Sequence, residues 1–258
     1  MKAIIYAAGV GRRLEGRFGS RPKLLLEFGG RSLLDWHIDR LKEIGCDQLI
    51  VVSGYLREQL DAEVARLGAV HSLFTESRFN PDFTEGSVLS FAASIPDLEK
   101  QRDPLLLMDG DVLYPAAMLR QLWLSDHSTA LLVDREYSTA DDDPVLVPMR
   151  AGKPFDFRKK WTGDADSIGE SIGFFKLAPG DLPRLIEETR KRLTGPGRAD
   201  SYDDVLRVLV MEGRFGAEDV TSLPWTEVDF PSDAERAEQT VLPAILELSA
   251  AKPSAAAR

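Results

Sequence analysis

Residues 2–30 read KAIIYAAGVGRRLEGRFGSRPKLLLEFGG. A short apolar run behind one lysine passes straight into a loop holding Gly9, Gly11, Gly16 and Gly19. In that loop Arg12, Arg13, Arg17, Arg21 and Lys23 face a single acid, Glu15. A buried strand that opens into a flexible basic loop is the entry to an α/β sheet, whose ligands sit beyond the carboxyl ends of the strands. The loop is conspicuous because the 258-residue chain carries a net charge of −10. A focused basic site in an acidic protein suits a small polyanion, whereas general nucleic-acid binding needs a broad basic face. Lys2 before apolar residues resembles a secretion signal, but the run is short and Gly-Arg-Arg follows at once, so it reads as a first strand.

Further runs extend the pattern. QLIVVS (48–53), PLLLMD (104–109) and TALLVD (129–134) read as buried strands. Between the first three lie helical periodicities: SLLDWHIDRLKEIG, with Leu34, Ile38 and Leu41 on one stripe and a stop at Gly45, and LREQLDAEVARLG, with a stop at Gly68. Such alternation implies right-handed crossovers and a mostly parallel sheet. Later, PVLVPM (144–149), SIGFFKL (171–177) and SLPWTEVDF (222–230) read as strands, with helices near 181–193, 201–212 and 233–248. The fold expected is a single α/β domain over 1–248, Rossmann-like and three-layered, with a mixed, mostly parallel central sheet. Residues 1–135 would form its first half and 136–248 its second; 249–258 would be a flexible tail. Length and composition suit a soluble globular domain, and no segment approaches the roughly 18 uninterrupted apolar residues of a membrane span. The lone cysteine, Cys46, excludes an internal disulfide and fits a reducing cytoplasm.

Two familiar phosphate loops fail on their own requirements. From Gly11 the glycine spacing is that of a P-loop, but Arg17 and Phe18 stand where Lys and Ser/Thr are needed. GVGRRL has the first two glycines of a dinucleotide loop, but Leu14 replaces the third and the second strand ends in Ser53–Gly54 instead of an acid. Elsewhere, LLMDGDVLY ends a strand with Asp109 and Asp111, and TEVDFPSD supplies Glu227 and Asp229. Carboxylates presented this way suit a divalent cation, since magnesium takes one or two of them together with substrate phosphates. His37, His71 and His127 share no metal-ligand spacing, and His37 lies in a core-type helix.

AAGVGRRL followed by RPKLLLEFGGRSLLDW closely resembles the nucleotidyltransferase family with a glycosyltransferase-A-like fold. NPDFTEGSVLSF (80–91), GESIGFFKL (169–177) and SYDDVLRVLV (201–210) resemble its phosphocholine cytidylyltransferase-like branch. The resemblance runs from Met1 to about Ala237. It implies transfer of a nucleoside monophosphate, CMP from CTP in this branch, to a small phosphorylated alcohol or phosphonate, with release of pyrophosphate. It also implies a magnesium cofactor, with manganese as an alternative. By the same resemblance Ala7, Ala8 and Gly9 approach the base and ribose, Gly11, Arg12 and Arg13 cradle the triphosphate, and Lys23 sits on the α-phosphate. Asn80 and Ser87 join the nucleotide site, although Ser87 is equally placed to cap the helix that follows it. The metal would be held by Asp111, Asp229 and Glu227, with Asp109 at the nucleotide; the choice between the two aspartates stays open. For the acceptor, Glu170 and Asp143 (with Asp141 and Asp142) are candidates for an amine, and Trp161, Tyr137 and Phe174 for an aromatic cage.

Two departures stand out. Gly86–Ser87 replaces a pair of asparagines found in many members, and Leu146 stands where many have a lysine, a loss that Arg158, Lys159 or Lys160 would have to cover. Three rival readings remain: a sugar-1-phosphate nucleotidyltransferase using UTP, GTP or dTTP, a nucleotide-binding module without catalysis, and a glycosyltransferase. The partners expected are small molecules, with no nucleic acid and no membrane; a homodimer is left open.

Overall fold

The structure, a computed structural model, describes residues 1–136 and 144–250. Lys2–Ala7 lies inside the main sheet, parallel to Gln48–Ser53 on one side and to Leu105–Asp109 on the other. The register sets Ala7 beside Ser53 and Tyr6 beside Asp109, so the basic loop and the Asp-Gly-Asp turn leave the sheet at one rim. Phe74–Phe79 adds a parallel strand at the edge. On the other flank Ser167–Leu177 runs antiparallel to Leu105–Asp109, so strands from both halves of the chain share one sheet. It also pairs with Leu146–Arg150 and with Ala130–Asp134, the latter extended in parallel by Gly216–Asp219.

Alternation along the strands builds the layers. Ala3, Ile5, Leu49, Val51, Leu106 and Met108 point into one apolar cluster with Leu34, Ile38 and Leu41 of helix Leu33–Glu43. Ile4, Tyr6, Ile50, Val52 and Leu107 point the other way, against helices Val88–Leu98, Leu182–Leu193 and Tyr202–Met211. Strands buried on both faces read as continuous apolar runs, which is why these were the legible ones. Helix Leu33–Glu43 starts where Ser32 accepts the N–H of Asp35 at 3.2 Å and ends before Gly45, whose φ is 82°.

Two expectations need correction, and two strands were not foreseen. Gly68 does not end its helix, which continues to Val70; a Cβ there would collide with Thr75, so glycine serves packing against the edge strand. SLPWTEVDF yields only the two-residue strand Thr226–Glu227, since Pro224 and Pro231 bracket the segment and limit its backbone donors. Phe74–Phe79 and Gly216–Asp219 escaped the sequence because neither is an apolar run: the first reads FTESRF and its residues are only partly covered. Among the described residues no helix is long and apolar enough to cross a membrane.

Candidate active site

The basic loop folds around one glycine. Gly11 has a left-handed backbone (φ 65°), and a Cβ on it would lie 2.9 Å from Cγ of Lys23. Glycine thus permits both the turn and the passage of the lysine stem. Leu14 and Leu24, both buried, pin the two ends of the loop to the core.

The Asp-Gly-Asp turn is anchored from below. Gly110 donates its N–H to Tyr6 O at 3.2 Å, and His37 Nε2 lies 3.2 Å from Gly110 O while Nδ1 lies 3.1 Å from the Tyr114 hydroxyl. Burial pushes the His37 pKa down to about 4, so the ring is neutral. Beyond the turn, Val112 pairs with Glu227, and Val228 N–H donates to Asp111 O at 2.9 Å. This small antiparallel ladder carries Glu227 and Asp229 up to Asp111. The backbone N–H groups of Asp229 and Phe230 both donate to Asp233 Oδ2, at 3.0 and 2.7 Å.

The carboxylate oxygens of Asp111, Glu227 and Asp229 come within 4.8 Å of one another. Lys23 Nζ donates to Asp111 Oδ2 at 3.0 Å and also to Asp229, while Arg13 Nη1 donates to Asp229 Oδ2 at 3.2 Å and lies over the Phe230 ring. Burial works against the lysine charge, but Asp111 and Asp229 outweigh it and hold the ammonium well above its ordinary value. Glu227 keeps contact with solvent through a cavity, yet enclosure by protein and the charge of Asp111 push its carboxyl well above the usual range. A set of hard oxygen donors with one member left electrostatically unbalanced fits a divalent cation such as magnesium or manganese. Asp109 stands apart from this trio: its Oδ1 accepts the Tyr202 hydroxyl at 2.6 Å, and burial, then Asp111, raise its carboxyl well above the usual range.

Two cavities meet at these charges. One, of about 280 Å³, is lined by Ala7, Gly9, Gly11, Arg12, Lys23 and Asp111 among others; the second, of about 180 Å³, by Asp109, Lys159, Glu170, Asp203, Trp225 and Glu227. Arg13 and Asp229 line both. The structure therefore gathers most of the residues singled out in the sequence and sorts them into two chambers.

Several candidates lie elsewhere. Ala8 is buried, with its carbonyl accepting Tyr55 N–H at 3.1 Å. Asn80 is buried too; its amide donates to Ser90 Oγ at 3.1 Å and accepts Asp82 N–H at 3.0 Å. Ser87 caps no N–H of its own helix and instead accepts the backbone N–H of Tyr202 at 3.0 Å. Trp161 lines neither cavity, its ring packing edge-on against Phe155 and its Nε1 donating to Gly163 O at 3.0 Å. Phe174 is wholly inside the core and can form no cage. Of the replacements for Leu146, Lys159 reaches the second cavity while Arg158 pairs with Asp156 at 3.2 Å. Asp143, with Tyr137, Asp141 and Asp142, falls outside the described residues. The sequence reading missed Trp225 and Asp203. Trp225 stands two residues before Glu227, and Asp203 lies in the SYDDVL stretch, so spacing alone pointed toward both.

The family model for a MobA-like NTP transferase domain matches residues 3–166, more than half the chain. The chain belongs to the MobA-like NTP transferase family. It is 26% identical over 197 residues to the CTP:phosphoglutamine cytidylyltransferase of Campylobacter jejuni, covering 72% of this chain and 76% of that one. It is 27% identical over 251 residues to the CMP-5'-(3-aminopropyl)phosphonate synthase of Streptomyces rubellomurinus, covering 92% of this chain but only 38% of that longer protein. Among solved structures, the inositol-1-phosphate CTP transferase from T. maritima superposes with a TM-score of 0.75 at 21% identity, covering 98% of this chain and 97% of that one. That likeness is one of fold, and it matches the Rossmann-like nucleotidyltransferase architecture expected of the family. As a MobA-like NTP transferase, the protein has relatives that work on phosphorylated or phosphonate compounds.

Proposed function

We propose that this NTP transferase is a divalent-metal-dependent cytidylyltransferase that moves CMP from CTP to a small phosphorylated alcohol or phosphonate, releasing pyrophosphate. One observation carries the reading: the Asp111–Glu227–Asp229 trio, faced by Lys23 and Arg13, stands where two cavities meet. A two-substrate phosphoryl transfer needs such a seam, with nucleotide on one side and acceptor on the other. The choice of CTP rests on the Campylobacter, Streptomyces and T. maritima relatives. The supply of nucleoside triphosphates supports a cytoplasmic location for this reaction.

In this reaction an oxygen of the acceptor phosphate attacks the α-phosphorus of CTP, and the bond to the β-phosphate oxygen breaks, with its electron pair leaving on pyrophosphate. The attacking oxygen is already anionic near neutral pH, so no side chain need remove a proton. Catalysis reduces to alignment and charge neutralisation. Gly9 and Gly11 let backbone N–H groups approach the triphosphate, Arg12 and Arg13 grip its oxygens, and Lys23 transfers its hydrogen bonds from the carboxylates to the α-phosphate. Asp111, Glu227 and Asp229 would hold magnesium or manganese, which when bound offsets phosphate charge. Glu170, Asp203, Lys159 and Trp225 would shape the acceptor chamber.

The test is a pyrophosphate-release screen of four nucleoside triphosphates against phosphocholine, phosphoethanolamine, 2-aminoethylphosphonate, inositol-1-phosphate and hexose-1-phosphates. Turnover is expected with CTP and one of the small non-hexose acceptors, and only with a divalent cation. Productive pairing restricted to UTP, GTP or dTTP with a hexose-1-phosphate would replace this reading with the sugar-nucleotide one. Nucleotide binding without pyrophosphate from any pair would reduce the protein to a binding module.

A further inference from the structure

Gly86–Ser87 and Tyr202 of the SYDDVL stretch have no role in the reaction just described, yet they are locked together. The N–H groups of Gly86 and Val88 donate to the carbonyls of Arg198 and Asp200, each at 3.2 Å. Arg198 reaches back to Glu85 through Nε and Nη2, both at 3.1 Å. A Cβ on Gly86 would collide with the Asp200 carbonyl, so a side chain such as the asparagine of other family members has no room here. Ser87 Oγ accepts the N–H of Tyr202 at 3.0 Å. Tyr202 is buried, its ring packed against Tyr6 and Phe175 with centroids 5.1 and 6.4 Å away, and its hydroxyl donates to Asp109 Oδ1 at 2.6 Å. The other Asp109 oxygen abuts Gly173, whose left-handed backbone (φ 74°) leaves no space for a Cβ. A short hydrogen bond from a rigid buried ring on one oxygen and close packing on the other hold the Asp109 carboxyl in one orientation.

We propose that Tyr202 is a positioning residue for the acceptor: its hydroxyl fixes Asp109 as a polar wall of the second cavity, and Gly86–Ser87 hold Tyr202 in place. This rests on reading the second cavity as the acceptor chamber. Asp109 then sets where the acceptor's head group sits relative to the metal-ligating trio, and it leaves the nucleotide chamber untouched.

The experiment is steady-state kinetics of Tyr202→Phe, which keeps the ring and removes only the hydroxyl. The acceptor KM should rise by up to roughly tenfold, the upper range for losing one hydrogen bond. The KM for CTP should stay within about twofold, the span of a site left undisturbed. Ser87→Ala should move the acceptor KM in the same direction by less. Unchanged KM values for both substrates, or equal rises in both together with a lowered melting temperature, would overturn the proposal. Calorimetry separates it from the reaction itself: phosphocholine and 2-aminoethylphosphonate are titrated into protein holding magnesium and α,β-methylene-CTP. Weaker acceptor binding by Tyr202→Phe supports the positioning role even where wild-type protein releases no pyrophosphate, an outcome that removes the proposed reaction alone. Equal binding by both proteins, or no acceptor binding by wild type, overturns the proposal.

Discussion

Lys23 is where three demands converge, since its stem threads past Gly11 and its ammonium bridges Asp111 and Asp229. Replacing it by alanine removes the charge that would meet the α-phosphate and leaves the carboxylates facing one another. Lys23→Ala should lower kcat by roughly 10²–10³-fold, the scale for losing one preorganised electrostatic contact. Its circular dichroism should match wild type, so turnover within about threefold of wild type would remove Lys23 from the reaction. Gly11→Ala tests the same residue from the other side. The left-handed backbone disfavours any Cβ, and at 2.9 Å from Lys23 Cγ the new methyl displaces the stem near its root, where the chain cannot swing away. A destabilisation of about 1 kcal/mol is expected in urea unfolding. The KM for nucleotide should rise as well, because the displaced ammonium no longer reaches its partners.

At the scale of elements, the segment 226–236 shows how the chain brings Glu227 and Asp229, two of the proposed metal ligands, up to Asp111. Thr226–Glu227 is too short to hold itself, and it is held by Val112–Leu113 on one side and by Asp233 on the other. Asp233 closes the start of helix Pro231–Arg236 while fixing the backbone of Asp229. Asp233→Ala should therefore cost about 1 kcal/mol, as capping losses do, and weaken manganese binding followed by paramagnetic relaxation. Loss of stability with unaltered metal affinity would confine Asp233 to capping. Legibility in the sequence followed the same lines. Lys2–Ala7, Gln48–Ser53 and Leu105–Asp109 were readable because both faces are buried, and the Asp-Gly-Asp turn was readable because it ends such a strand. Phe74–Phe79 was hidden because an edge strand needs no apolar run. The distinct environments of Asp109 and Asp111 were hidden because Tyr202 and Glu227, which separate them, lie more than 90 positions away in the chain. Asn80 entered the nucleotide site by resemblance alone, and only the packing shows its amide turned inward onto Ser90 and Asp82.

Over the whole molecule, His37 ties stability to pH through the layer beneath the site. It is completely buried between the Gly110 carbonyl and the Tyr114 hydroxyl, and its pKa falls from the ordinary 6.5 to about 4. The unfolded chain takes up the proton near 6.5, whereas the folded chain refuses it until about pH 4. The contribution of the neutral ring is therefore complete above pH 6.5 and is lost progressively as the pH falls toward 4. Between pH 7 and 5 the loss should reach about 2 kcal/mol from this residue alone. Asp109 and Glu227 act in the opposite sense, because carboxyls raised in the folded state bind protons before those of the unfolded chain do. The measurement is thus a comparison: urea unfolding of wild type and His37→Gln at both pH values. Glutamine retains a donor and an acceptor but cannot titrate, so the variant should lose less stability than wild type on acidification, by about 2 kcal/mol. Parallel pH dependences for the two proteins would mean that His37 accepts a proton in the folded state as readily as in the unfolded chain. The Asp-Gly-Asp turn would then rest on a charged ring, and the support of Asp111 from below would have to be rebuilt on that basis.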